Sequence, residues 1–422
     1  MHPIRIAIRD DLSRSRLTVF FRLLLAIPHL IWLLLWTIAA AVVTVLNWLL
    51  TLATGRSPDG LHGFLSRYVR YATHVYAYIT LAANPFPAFT GEPDSYPIDL
   101  EIDPSTPQRR LITLFRLPLA IPALLLVAAI SGGGGGSGTA NTADYEGASS
   151  WAYSGGGILV TVAFFAWFAC LARGRMPHGF RNTLAWGLRY SAQVSAYLLV
   201  LTDRYPNSEP WLPVEAGAVP EHPIRIGVDD DRRRSRLTVF FRLLLALPHL
   251  VWFTLWSIAA LFAAIANWFA TLATGLSPRP LHDFLAAFAR YEVQLFAFLA
   301  LTANPFPGFT GAPPYPVELQ IPPPQRQSRW VTGFRLLLAV PAIGVVGALS
   351  LALAVAAILG WFASLITGRM PAGLRDLGVW VLRYSGHVNG YLYLLTDRYP
   401  YSGPPVEELP EPEEHALAPA AA

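Results

Sequence analysis

Two hydrophobic periodicities alternate along the chain. Short runs of period two place apolar side chains on one face: Ile4-Arg5-Ile6-Ala7-Ile8, Ile98-Asp99-Leu100-Glu101-Ile102, Ile224-Arg225-Ile226-Gly227-Val228 and Val317-Glu318-Leu319-Gln320-Ile321. Each reads as a strand with one covered side. A long, nearly uniform apolar stretch follows each run, Leu17 to Ala53 in the first case, and reads as helix. A more polar helix comes next, roughly Leu61 to Ala82. It sets His62, Ser66, Arg70, Thr73 and Ala77 against Phe64, Leu65, Tyr68, Ala72 and Val75 on the opposite side. The chain passes through this order four times, which makes it a tandem array.

Fixed polar positions punctuate the array. A Phe-Arg-x-x-x-Ala-x-Pro motif opens each long stretch, with Arg22, Arg116, Arg242 and Arg335 each six residues before a Pro. A second Arg stands six residues earlier, at Arg16, Arg110, Arg236 and Arg329. Each stretch ends in Trp48, Trp167, Trp268 or Trp361, then a Gly with Pro three residues on, a combination that stops one helix and starts another. The last helix carries Arg-Tyr at Arg70, Arg189, Arg290 and Arg383, with His74, Gln193, Gln294 or His387 on the same face four residues later. The units are residues 1–96, 97–210, 222–314 and 315–403. A Gly-rich insert, 131–157, lies within unit two, a linker occupies 211–221, and an acidic tail, 404–422, is expected to be disordered. Units one and three are most alike, as are two and four, which implies a duplicated pair, A-B-A-B. Arg5 and Arg9 in the first strand face the prospect of Asp99, Glu101 and Asp103 in the second. The strands are therefore expected to gather into one or two small sheets on the Arg-rich side.

Composition directs the array to a membrane. The 422 residues are 54% hydrophobic and 14% charged, against about a quarter charged in soluble domains. The predicted fold class is an all-α polytopic integral membrane protein with four short β-strands in a polar cap. A stretch of Leu17 to Ala53 would be about 55 Å long as one helix, well beyond a hydrocarbon core of about 30 Å. It is either one crossing extended by an in-plane helix broken at Pro28 or a tight hairpin. The insert favours the hairpin, because its glycines, Asp144 and Glu146 do not belong in hydrocarbon. Turns are then expected at Trp36-Thr37, within 131–157, at Trp256-Ser257 and at Leu349-Ser350. Either form gives about eight membrane crossings, and crossing by all three helices would give twelve. In the hairpin form every Arg lies on one side, which puts that face and both termini in the cytoplasm of a cell membrane.

The set Phe-Arg-x-x-x-Ala-x-Pro, Trp-Phe before Thr-Gly-Arg-x-Pro, Arg-Tyr, then Leu-Thr-Asp-Arg-Tyr-Pro resembles a bacterial membrane family known as domain of unknown function 4389. Unit four carries it most fully, from Phe334-Arg335 through Trp361-Phe362, Thr367-Gly368-Arg369-Met370-Pro371 and Arg383-Tyr384 to Thr396-Asp397-Arg398-Tyr399-Pro400. Units one and three depart with Asn84 and Asn304 for Asp, and unit three with Leu276 for the turn Arg. The resemblance implies an integral membrane protein and brings no activity or catalytic residue.

The chemistry on offer is that of arginine. All 31 basic residues are Arg. Spread among apolar segments, they read as membrane anchors and not as a nucleic-acid surface. Two readings stand for Arg22, Arg116, Arg242, Arg335, Arg70, Arg189, Arg290 and Arg383. They either snorkel to headgroups or form anion or lipid-headgroup contacts, since the guanidinium fork matches phosphate. His29, His62 and His74 lack a ligand pattern, so no metal is expected. The insert lacks the Gly-Lys-Ser/Thr of a phosphate loop, and no cofactor is expected. Cys170, the single cysteine, excludes an intrachain disulfide. The four Trp read as an aromatic belt. Function narrows to a scaffold or lipid-interacting membrane component with membrane lipids as partners, or alternatively a transporter or channel with an Arg-lined stripe. An enzyme has no nucleophile, carboxylate pair or cofactor motif to support it.

Overall fold

The computed structural model describes residues 2–132, 156–213 and 222–405. Most of the predicted insert, part of the linker and most of the tail lie outside these residues. The fold is mostly helical, with two small sheets. Unit one contains β1 (Ile4–Ile8), α1 (Arg16–Phe20), α2 (Arg22–Thr54) and α3 (Asp59–Ile79). Unit two contains β2 (Ile98–Ile102), α4 (Arg110–Leu114), α5 (Arg116–Ser131), α6 (Ile158–Arg173) and α7 (His178–Leu198). Unit three contains β3 (Arg225–Val228), α8 (Arg236–Phe240), α9 (Arg242–Thr274) and α10 (Arg279–Leu299). Unit four contains β4 (Val317–Gln320), α11 (Arg329–Thr367) and α12 (Ala372–Leu392).

The hairpins expected within the long stretches are absent. Trp36-Thr37, Trp256-Ser257 and Leu349-Ser350 lie inside α2, α9 and α11, which are unbroken. No Gly or Pro interrupts the first two sites, and Thr37 returns its hydroxyl to Leu33 O at 2.6 Å, so the helical ladder continues through them. Three helices, α2, α9 and α11, are long and apolar enough to cross a membrane by length and composition. In unit two the chain leaves the helix at Gly132, with φ of 81° in the left-handed region, and re-enters at Ile158. The two ends meet there: a Cβ at Gly157 would lie 2.7 Å from Ile130 O and 2.8 Å from Ala129 O. Two 16-residue halves thus fill the place of one 33-residue helix. The insert leaves from the middle of a helix path.

Units assemble in pairs. β1 and β2 run antiparallel with Ile6 opposite Leu100, and β3 pairs with β4 in the same manner. Arg5 meets Glu101 at 3.1 Å and Asp103 at 2.9 Å, the cross-strand charge pairing anticipated from the sequence. Each sheet covers two inner helices, α3 and α7 or α10 and α12, and each inner helix packs along its own long helix. The long helices exchange ends: Trp48 Nε1 donates to Thr113 O in α4, and Trp167 Nε1 donates to Val19 O in α1. Trp268 to Thr332 O and Trp361 to Val239 O repeat the exchange. These indoles clasp the neighbouring unit, a use that their place at the end of an apolar stretch did not distinguish from an aromatic belt. The two pairs join where α11 lies on α5 and α6. There Trp186 meets Trp380 edge-on at 4.8 Å, and Asn182 bonds the Tyr401 hydroxyl at 2.8 Å.

Candidate functional site

The four motif arginines are turned into the protein. Arg22 is 1% exposed, and Arg116, Arg242 and Arg335 are equally enclosed. A helix leaves its last carbonyls without intrahelical donors, and these guanidinium groups supply them. Arg22 Nη1 donates to Tyr78 O at 2.8 Å and Ala83 O at 2.9 Å, closing the end of α3, while Nη2 reaches Asn84 Oδ1 at 3.1 Å. Arg116 bonds Tyr197 O and Thr202 O, Arg242 bonds Phe298 O and Ala303 O, and Arg335 bonds Tyr391 O and Thr396 O. Each guanidinium also lies over the ring whose carbonyl it bonds, Tyr78, Tyr197, Phe298 or Tyr391, at 4.3–4.7 Å.

These helix ends need such support. Each inner helix finishes in a left-handed residue that is not glycine: Leu81, Val200, Leu301 and Leu394, with φ of 60–68°. That conformation costs roughly 1–2 kcal/mol for a residue with a Cβ. In all four units a side chain eight positions before the motif Arg bonds the carbonyl of this residue. Arg14 and Arg234 do so in units one and three, and Gln108 and Gln327 in units two and four. Each Gln also accepts from its motif Arg at 2.7 Å. Arg14 and Arg234 are buried and ion-paired with Asp10 and Asp230 at 2.8 Å. Sequence reasoning passed over these four positions, although their constant spacing from the motif was visible. The second arginines act between units. Arg16 caps Ala172 O at the end of α6, Arg110 caps Ala53 O at the end of α2, and Arg236 caps Ile366 O at the end of α11. A cation suits the negative end of a helix.

The Arg-Tyr arginines divide into two kinds. Arg70 donates to Leu100 O in β2 and Gly91 O, and Arg290 donates to Leu319 O in β4. Arg189 and Arg383 instead bond Glu209 O and Gly403 O in the segments that follow their helices. The polar residue four positions on grips the strand layer in three units. Gln193 bonds Ile4 O, His387 bonds Ile224 O at 2.9 Å, and His74 bonds Asp99 at 2.8 Å. Burial opposes ionisation of Asp99, but the bonds from His74 and the Leu100 amide and the nearby Arg70 hold its carboxyl below the usual carboxylate range. His222 stacks on His387 at 3.6 Å, and burial lowers His222 to about 4, so both rings are neutral at physiological pH. In units one and three the tyrosine of Arg-Tyr faces its long helix: Tyr71 bonds His29 at 2.8 Å and Tyr291 bonds His249 at 2.9 Å. Phe89 stacks on His29 there and Phe86 meets it tilted, each at 4.3 Å. A polar recess of about 260 Å³ opens beside Arg70, lined by Arg5, Asp94, Asp99, Glu101 and Asp103.

Most of the residues that make these contacts fall in segments matched by a family model. The family model described as Domain of unknown function (DUF4389) matches residues 16–90, 152–208, 236–310 and 329–402. The chain belongs to this family. Three of the four DUF4389 matches open on the second arginine or its immediate unit boundary and run past the turn that receives the motif Arg. The match in unit two opens beyond α4 and α5, because the insert interrupts the pattern. All four strands fall outside the matched segments. No curated protein and no solved structure matches the chain.

Proposed function

We propose that this DUF4389 array is a scaffold of the bacterial cell membrane, a duplicated A-B pair that holds lipid against its long helices. The observation that carries this reading is the engagement of all eight recurrent arginines on main-chain carbonyls of the protein itself. An Arg-lined path for anions needs guanidinium groups facing a shared passage. Here they close helix ends and hold strands, and lipid contact falls to the apolar faces of the long helices and the exposed arginines at their ends. The A-B alternation is supported by the side chains that hold the left-handed residues: arginine in units one and three, glutamine in units two and four.

Reconstitution tests the reading. Purified protein in liposomes loaded with an anion-sensitive dye should show no flux above empty vesicles. Arg383→Leu should retain as much co-purified phospholipid as the unaltered chain in native mass spectrometry. A flux that Arg383→Leu abolishes would favour the transporter and sink the scaffold.

A further inference from the structure

The exchanged ends of the long helices fix where the sheets stand. In the first pair, α1 lies at the end of α6 and α4 at the end of α2, so α2 and the α5–α6 path run antiparallel. The reciprocal bonds relate the two units by a local two-fold, and the antiparallel strand pair centred on Ile6 and Leu100 sits on it. A sheet on that axis is equidistant from the two ends of the long helices. Contacts along the path agree. Arg70 holds Leu100 O, and its neighbour Tyr71 packs on His29 and Trp36, well inside α2. A groove of about 790 Å³ also brings Asp59, Arg67 and Glu92 against Trp32, Leu35, Trp36 and Ala39, the middle of the same helix.

An upright α2 of 33 residues would be about 50 Å long and would carry those levels into the hydrocarbon. The Arg5, Glu101 and Asp103 side chains, 33–55% exposed, would face lipid there together with Arg67 and Glu92. Charges at that depth cost several kcal/mol each. Gly60, Gly63 and Arg67 of α3 line that groove beside α2, Ala72 and Ile79 pack on the Leu33, Tyr71 and Val75 cluster, and Tyr76 is 50% exposed. Phe296 repeats Tyr76 in unit three. The molecule thus has a polar roof formed by the sheets and an apolar floor formed by the long helices. No Asp or Glu occurs in α2, α5, α6, α9 or α11, while exposed arginines stand at their ends: Arg16, Arg56, Arg110, Arg173, Arg236, Arg329 and Arg369.

We infer that the long helices lie along the membrane plane, sunk into one anionic leaflet, with both sheets on the water side and the end arginines at the phosphates. This rests on the membrane reading above and adds its orientation. It replaces crossing with one-sided attachment, and the rim of cations matches the acidic lipids of the cytoplasmic leaflet.

Single cysteines test it in a Cys170→Ala background, where the removed thiol is buried and unpaired. Ser15→Cys and Arg56→Cys mark the two ends of α2, and Glu101→Cys marks the sheet. Arg67→Cys serves as a second mid-level site should loss of the Arg5 partner disturb the strands. A membrane-impermeant maleimide should reach all of them from the same side, tenfold faster than from the other, in intact cells or only after lysis. Labelling of Ser15→Cys and Arg56→Cys from opposite sides, with the mid-level sites protected, would overturn the inference and leave a membrane-spanning scaffold. Failure of the full chain to float with anionic liposomes would overturn the membrane reading itself.

Discussion

Arg335→Leu gives the sharpest test of the helix-end arginines. The guanidinium donates to Tyr391 O, Thr396 O and Gln327 Oε1 and lies 4.5 Å from the Tyr391 ring. Leucine leaves Thr396 O and Gln327 Oε1 without this donor, each worth about 1–3 kcal/mol, and leaves Tyr391 O with only the Leu394 amide at 3.3 Å. It also removes a charge that has no carboxylate bonded to it, which offsets part of that loss. The net destabilisation should be about 2–4 kcal/mol, from the neutral acceptors left short of a donor. Arg335→Lys keeps the charge but cannot span the three acceptors, so it should recover less than half. Thermal unfolding in detergent or nanodiscs measures the size. Hydrogen exchange measures the place: the Leu395 and Thr396 amides, both bonded to Gly390 O, should exchange faster while α9 stays protected. An unchanged melting temperature together with unchanged exchange at Thr396 would refute the role assigned to Arg335.

Glu292 should make stability depend on pH. Burial raises its carboxyl to about 7 despite the bond from Asn389 at 2.8 Å. A folded value above the unfolded one means full stability below about pH 4.5 and progressive loss as pH rises to about 7, of about 2–3 kcal/mol in total. Glu292→Gln should remove that slope in melts at pH 5 and pH 8, and a slope that survives the substitution would contradict the assignment. Trp361→Phe keeps the ring but loses the bond to Val239 O, and should cost about 1 kcal/mol in the same melts. Arg232 is exposed with φ of 59°, so Arg232→Gly should stabilise by about 0.5–1 kcal/mol, and a loss of stability would show that its side chain has a role beyond the turn.

Repeats, strands and helix identities were legible because each follows a local period. The recurring Phe-Arg-x-x-x-Ala-x-Pro motif anticipated four equivalent units, and the opposite charges on the first two strands anticipated their pairing. Continuity of α2 through Trp36-Thr37 was open to the opposite reading, because the insert of unit two suggested a hairpin although no breaker stands at Trp36-Thr37. The direction of Arg22 was not legible. In a helix apolar on every side, periodicity does not mark the face that packs on α3, so an inward arginine and a snorkelling one share one pattern. The reciprocal bonds of Trp48 and Trp167 were hidden for another reason: they join residues of different units, and no local period records such partners.

Cryo-electron microscopy of the full chain in anionic lipid nanodiscs measures the seating of the molecule directly. The helices α2, α9 and α11 should lie within about 30° of the disc plane in one leaflet, with both sheets standing clear of the same face. Density for α11 running through the full thickness of the disc, with a sheet at the depth of the acyl chains or one sheet on each face, would contradict it.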